Sequence, residues 1–149
     1  VVATLSDPTQ VNIRPFTQSD TELVISLWQS CGLIRSWNNP KLDIERKLTV
    51  NPEWFVVGVV NHEIVASAMF GYEGHRGWVN YLAVSPQHQR LGYAKQLMQF
   101  GEDLLLNVGC PKLNLQVRDT NAQALGFYEA LGYKIDASVS LGKRLIPDE

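Results

Sequence analysis

The hexapeptide QRLGYA, Gln89 to Ala94, sets a glycine between an apolar run, WVNYLAV, and a long amphipathic segment. Gly92 has no Cβ and lets another group approach the backbone closely. Ala94 keeps the next exposed position small. Where a strand hands over to a helix, several N–H groups point outward unpaired and the helix dipole favours an anion. That chemistry suits a pyrophosphate; a plain strand-to-helix turn would use the same residues. Asp43 and Arg46 share one helix face, which suits an ion pair or the capture of an ammonium. His62, His75 and His88 are scattered without ligand spacing, so no catalytic metal is expected. Cys31 and Cys110 form no CxxC pair and read as inert packing thiols of a reducing cytoplasm.

Two familiar phosphate motifs are absent. No GxxxxGK followed by Ser or Thr occurs, which excludes a P-loop. No GxGxxG opens a parallel βαβ unit, which argues against a nicotinamide-binding fold.

The elements that position these residues follow from periodicity. VNIRPF alternates apolar and polar and predicts a strand over 11–16. Thr17 and Asp20 form a capping-box pattern before Leu23, Val24, Leu27, Trp28 and Cys31, which recur at helical spacing. Asn39 and Pro40 open a second helix that stops before Asn51-Pro52. Strands are predicted over 53–60, 63–72 and 78–84, joined at Asn61-His62 and at the turn 73–77 as an antiparallel meander. Ala94, Leu97, Met98, Gly101, Leu104, Leu105 and Val108 mark one face of a long helix. KLNLQV (112–117) is a further strand, Asn121 caps a last helix, and YKIDASVSLGKRL supplies one or two final strands. The order β-α-α-β-β-β-α-β-α-β is an α/β (α+β) layout.

At 149 residues the chain fits one domain over 11–149 behind a flexible lead-in over 1–10. The formal net charge is −2 and basic residues nowhere cluster beyond a pair, so neither nucleic acid nor an anionic membrane is an expected partner. No apolar run reaches the roughly 18 residues of a membrane span. VVATLSDP is too short, and lacks the positive charge, for a secretion signal.

In that setting LAVSPQHQRLGYA resembles the acetyl-CoA motif of the GCN5-related N-acetyltransferase (GNAT) family, an apolar strand, a proline and then Gln/Arg-x-x-Gly-x-Gly/Ala. NAQALGFYEALGY resembles that family's second motif, an Asn cap followed by FYxxLGF/Y. WQSCGLIRSWNNPKLDIERK, GYEGHRG and LGKRLI are similar to a bacterial subfamily, the YpeA-type acetyltransferases. The resemblance covers roughly Val11 to Leu145 and implies a mixed, mostly antiparallel sheet of roughly six to seven strands, splayed in the middle, with about four helices.

It also implies acetyl-CoA as cosubstrate, direct attack by a primary amine on the thioester, and an acceptor that is a small molecule, an amino acid or a peptide end. Pantetheine would run along the backbone of Leu82, Ala83 and Val84, where a parted ladder leaves groups wanting partners. Pyrophosphate would lie on the backbone of Gln89, Arg90, Leu91, Gly92, Tyr93, Ala94 and Lys95, with Arg90 and Lys95 adding charge or standing solvated. Tyr128 matches the tyrosine that protonates the leaving thiolate, a task a phenol of pKa about 10 can perform; its plainer reading is a core aromatic. Asn121 would both cap its helix and bond the pantetheine arm.

The base is less clear from the residues. Trp78 and Gln116 stand where relatives carry Glu, and neither takes a proton. Glu73 is the leading candidate against a solvated turn carboxylate, with His75 or a water chain past Asn80 or Tyr81 as alternatives. The acceptor pocket would draw on Trp37, Asp43, Arg46 and Tyr81. A homodimer through sheet edges or the final strands is also implied. The rival from another class is a non-catalytic acyl-CoA-binding module, which would keep QRLGYA and dispense with acid and base.

Overall fold

The computed structural model describes residues 10–147, so the lead-in expected over 1–10 lies, Gln10 apart, outside the described residues. Strands β1 (Asn12–Pro15), β2 (Phe55–Val60), β3 (Glu63–Tyr72), β4 (Gly77–Val84) and β5 (Leu113–Asn114) form one sheet in chain order. Neighbours are antiparallel from β1 to β4, and β5 joins β4 in parallel. The β2–β3 hairpin turns on Asn61 and His62, both at positive φ (49° and 66°). That is the two-residue turn whose twist matches the flanking strands.

Helices α1 (Thr21–Ser30) and α2 (Pro40–Lys47) cover one face of the sheet, and α3 (Tyr93–Asn107) and α4 (Ala122–Ala130) pack on the other. Their starts are those the sequence predicts. The Thr17/Asp20 capping box is formed, Asn39 Oδ1 accepts from Leu42 N at 3.2 Å, and Asn121 Oδ1 accepts from Ala124 N at 3.1 Å. Two cores result. Val56, Ala68, Phe70, Val79, Leu97 and Met98 fill the α3 side; Phe16, Trp28, Ile44, Phe55, Val57 and Ala83 fill the α1/α2 side. The uninterrupted apolar run of β2 is explained by burial on both faces. α3 lies tight on the sheet at Gly101, where a Cβ would lie 2.0 Å from the buried Phe70 ring.

Three expectations need correction. Glu53 and Trp54 are not in β2, because Asn51 (φ 47°) and Pro52 wind them into a 3-10 turn. The strand expected over 112–117 keeps only Leu113 and Asn114 in the ladder. No final strand forms among the described residues, so the sheet has five strands rather than six to seven. Residues 136–140 run beside 112–116 in the same direction through side chains only, Lys112 to Asp136 at 2.7 Å and Gln116 to Ser140 at 2.5 Å, each pair 24 residues apart. Ile135, Val139 and Leu141 are 78%, 84% and 93% exposed, so the expected strand has no apolar face buried.

Candidate active site

The ladder between β4 and β5 consists of two residue pairs, Gly77 with Leu113 and Trp78 with Asn114. Beyond Trp78 the strands part. Ser85 N donates to Val65 O at 2.8 Å, so in the antiparallel alternation Val84 belongs to a pair that turns its N–H and C=O away from β3, into the opening. Val84 O accepts there from Cys31 Sγ and from Gln89 Nε2, each at 3.2 Å.

A bulge lies in the same strand. Ser67 faces Ala83 and Met69 faces Asn80, so Tyr81 and Leu82 together oppose one residue. Tyr81 sits at φ 52°, a left-handed conformation that costs a bulky side chain energy. The surroundings hold it. Ser67 Oγ donates to Tyr81 O at 2.9 Å, and the Trp28 ring stacks on the Tyr81 ring at 3.9 Å between centroids.

At the open end of β4 the chain passes through Pro86–His88 and reaches Gly92, the residue before α3, at φ 87° with no side-chain cap. Nothing lies within 4 Å of where its Cβ would be. Gly92 is therefore required by backbone conformation rather than by a crowded neighbour, and the first N–H groups of a 15-residue helix have no side-chain cap. The Tyr93 side chain is buried beneath this turn, while Gln89, Arg90, Leu91 and Lys95 are exposed around it.

On the α1/α2 side, Tyr81 Oη donates to Asp43 Oδ2 at 2.6 Å, and Arg46 Nη1 lies 3.6 Å from Asp43 Oδ1. Three of the predicted acceptor residues thus meet beside the bulge. Trp37 stands apart from them, 55% exposed, with the Arg118 guanidinium 5.7 Å from its ring centre. That contact ties the α1–α2 connection to the loop after β5.

On the other side, Tyr128 packs edge-on against Phe127 and Tyr133, and burial raises its phenol to about 12. Tyr133 donates to Glu102 Oε2 at 2.6 Å; burial first, and then that bond, push its own phenol still higher. Glu73, the candidate base, is engaged by its own turn. Its Oε1 accepts the backbone N–H groups of Arg76 and His75, and these bonds, Arg76 first, lower its pKa. It closes the turn at the paired end of β4, four residues from the Tyr81 bulge even at Gly77, or roughly 13 Å along a strand.

The Acetyltransferase (GNAT) family matches the chain over residues 19–133. The chain belongs to the GNAT acetyltransferase family. An acetyltransferase of Yersinia pestis (strain Pestoides F) is 49% identical over 139 residues, covering 93% of this chain and 99% of its own length. One from Pectobacterium atrosepticum is 49% identical over 138 residues, covering 93% and 98%. The crystal structure of Ard1 from Thermoplasma volcanium superposes with a TM-score of 0.74 at 25% identity, over 85% of this chain and 84% of that one.

As a GNAT member the protein is an N-acetyltransferase, and its parted sheet is the family's fold. Sequence reasoning missed the groups that hold the GNAT bulge. Ser67 is one, and its signal was a hydroxyl inside the apolar run EIVASAMFGY. Trp28 is the other, since a helix-face aromatic gave no sign that its indole N–H would reach Ser67 at 2.9 Å. Gln89 was read through its backbone, yet its side chain also pins the turn to Val84. Among the described residues no helix is long and apolar enough to cross a membrane, and no cluster of His, Cys, Asp and Glu could hold a metal.

Proposed function

We propose that this acetyltransferase moves an acetyl group from acetyl-CoA directly to a primary amine of a small molecule, amino acid or peptide end. The observation that carries the reading is the uncapped start of α3 at Gly92, directly beyond the parted end of β4. A strand edge with inward-turned amides and a helix start without a side-chain cap together fit a long thioester ligand ending in phosphates.

Each residue then has a task. The α3 N-terminus takes the pyrophosphate, with Arg90 and Lys95 exposed beside it. Leu82 and the amide of Val84 take the pantetheine arm. A backbone N–H at the bulge donates to the thioester carbonyl and to the oxyanion that forms when the amine adds. Asn121 Oδ1 is committed to its cap, which leaves its amide nitrogen for the arm. As the C–S bond breaks and the N–C bond forms, Tyr128 gives its phenolic proton to the departing thiolate. A phenol raised to about 12 remains protonated and ready at neutral pH. Asp43, aligned by Tyr81, holds the incoming ammonium, and its excess proton leaves to water. Both cysteines are free thiols, which supports a reducing, cytoplasmic setting.

Calorimetric titration with acetyl-CoA, followed by thiol release against a panel of amines, tests the reading. Binding with amine-dependent release supports it. Absence of binding removes it.

A further inference from the structure

The connection between α1 and α2 is anchored to β4 at both ends. Cys31 Sγ, just after α1, donates to Val84 O at 3.2 Å. Asp43, in the first turn of α2, accepts the Tyr81 hydroxyl at 2.6 Å. The connection thus leaves the parted stretch of β4 at one point and returns to it at another. Trp37, between the two anchors, reaches the opposite lip instead: its ring centre lies 5.7 Å from the Arg118 guanidinium. Arg118 follows Asn114, the residue that pairs with Trp78 in the last rung between β4 and β5. Had that parallel register continued, Arg118 would stand opposite Leu82, level with the Tyr81 bulge. The Trp37–Arg118 contact therefore spans the opening between the strands at the height of the bulge.

Each partner sits on a turn that closes on itself. Asn38 N donates to Arg35 O at 3.0 Å and Arg35 N to Asn38 Oδ1 at 2.9 Å, which fixes the turn carrying Trp37. Asn121 N donates to Arg118 O at 2.9 Å on the other side. Two turns with bonds of their own meet through a cation over a ring, and both side chains are exposed. A single contact of this kind at an exposed site is weak, so the turns can part without either one unfolding.

We infer that Trp37 and Arg118 form a latch across the gap, closed over the seated thioester and opened to admit the amine. Closed, it holds the two lips around the pantetheine arm and keeps bulk water from the carbonyl. Open, it clears the α1/α2 face, where Asp43 stands. The inference rests on the acetyl-transfer reading above and adds a moving part to it. Without the latch, water competes with the amine: it adds to the carbonyl, the C–S bond breaks, and acetate and free CoA thiol leave.

Trp37→Ala, Arg118→Gln and the double variant test this against the parent protein. Thermal melts of all four should coincide, since both side chains are exposed. One readout is thiol release from acetyl-CoA with no amine present, which counts hydrolysis. The other is the rate at which bound CoA leaves on dilution in stopped flow, which needs no turnover. Each single variant should raise both rates about 3-fold, the worth of one exposed cation–π contact. The double variant should go no further, because the two halves of one latch are lost together. Arg118→Lys keeps a cation over the ring and should recover part of the effect. Faster CoA release from a protein that acetylates no amine leaves the latch standing and removes the transfer reading. Parental rates in both single variants overturn the latch, and so does a double variant near roughly 9-fold, the product of two independent effects. A protein that binds no CoA removes both.

Discussion

Trp28 Nε1 donates to Ser67 Oγ at 2.9 Å, and Ser67 Oγ donates in turn to Tyr81 O at 2.9 Å. Trp28 and Ser67 are fully buried. One hydroxyl therefore connects helix α1, strand β3 and the strained residue of β4. Tyr81 keeps its left-handed backbone because this contact and the Trp28 ring hold it.

Ser67→Ala removes both bonds at once and leaves a buried indole N–H and a carbonyl without their partner. The expected loss is about 1–3 kcal/mol of stability, measured by denaturant unfolding. Acetyl transfer should also slow more than CoA binding weakens, because the bulge loses its tether. A variant as stable and as fast as the parent would show that the ring stacking alone suffices.

Gly92→Glu should abolish CoA binding in calorimetry while the protein stays folded. Its Cβ meets no protein atom, so the folding penalty is limited to the positive φ, about 1–2 kcal/mol. The new carboxylate would stand among N–H groups proposed to receive phosphate. Gly92→Ala separates the two effects by keeping the backbone cost without the charge.

Tyr128→Phe keeps the aromatic packing and deletes the proposed proton donor. A fall in kcat of roughly 100-fold, with CoA affinity nearly constant, is the expected signature. Because burial holds the phenol at about 12, no alkaline loss of activity below pH 10 should trace to this residue. A Phe variant with parental kcat would move the acid role elsewhere.

Asp20 predicts an acid limb in stability. Its carboxylate accepts both Arg14 guanidinium nitrogens, at 2.8 and 3.0 Å, and the Thr17 N–H at 2.8 Å. The Arg14 bond, first of these, lowers its pKa in the folded state. A depressed folded pKa gives stability that is fully present above the unfolded value of about 4 and drains away as pH falls through the folded value. Thermal melts from pH 7 to pH 2 should show that loss, and Asp20→Asn should flatten it while lowering stability at neutral pH.

Gly101→Ala should destabilise the fold by about 1–3 kcal/mol, since the added methyl meets the Phe70 ring in a filled core. Phe70→Leu introduced with it should recover part of the loss. Unfolding curves of the single and double variants decide the matter.

Elements with strong local signals are legible in the sequence. The Thr17/Asp20 box, the Asn39 and Asn121 caps and the Asn61-His62 turn all formed where the residues called for them. The core of the meander was equally plain, since β3 has the bounds its sequence suggests. What escaped depends on register and on side chains meeting across the sheet. A bulge at Tyr81 exists only relative to β3, so β4 read alone shows an unbroken strand. Glu73 is a candidate base by residue type, and the two turn amides bonded to it are invisible in the sequence. YKIDASVSLGKRL reads as one or two strands, yet pairing needs a partner edge as well as suitable residues. The bonds at Lys112 and Gln116 supply proximity without a ladder.

The two-rung junction between β4 and β5 bears on how the molecule behaves as a solid body. Backbone bonds that run unbroken from β1 through β4 stop there, and everything beyond is attached through side-chain packing. Amides of β2 and β3 should resist deuterium longest, and those of β5 and α4 should exchange through smaller openings. A thioester seated between the strands would supply the missing rungs. It would act as mortar as well as reagent, and its departure as free CoA would loosen the wall that held it.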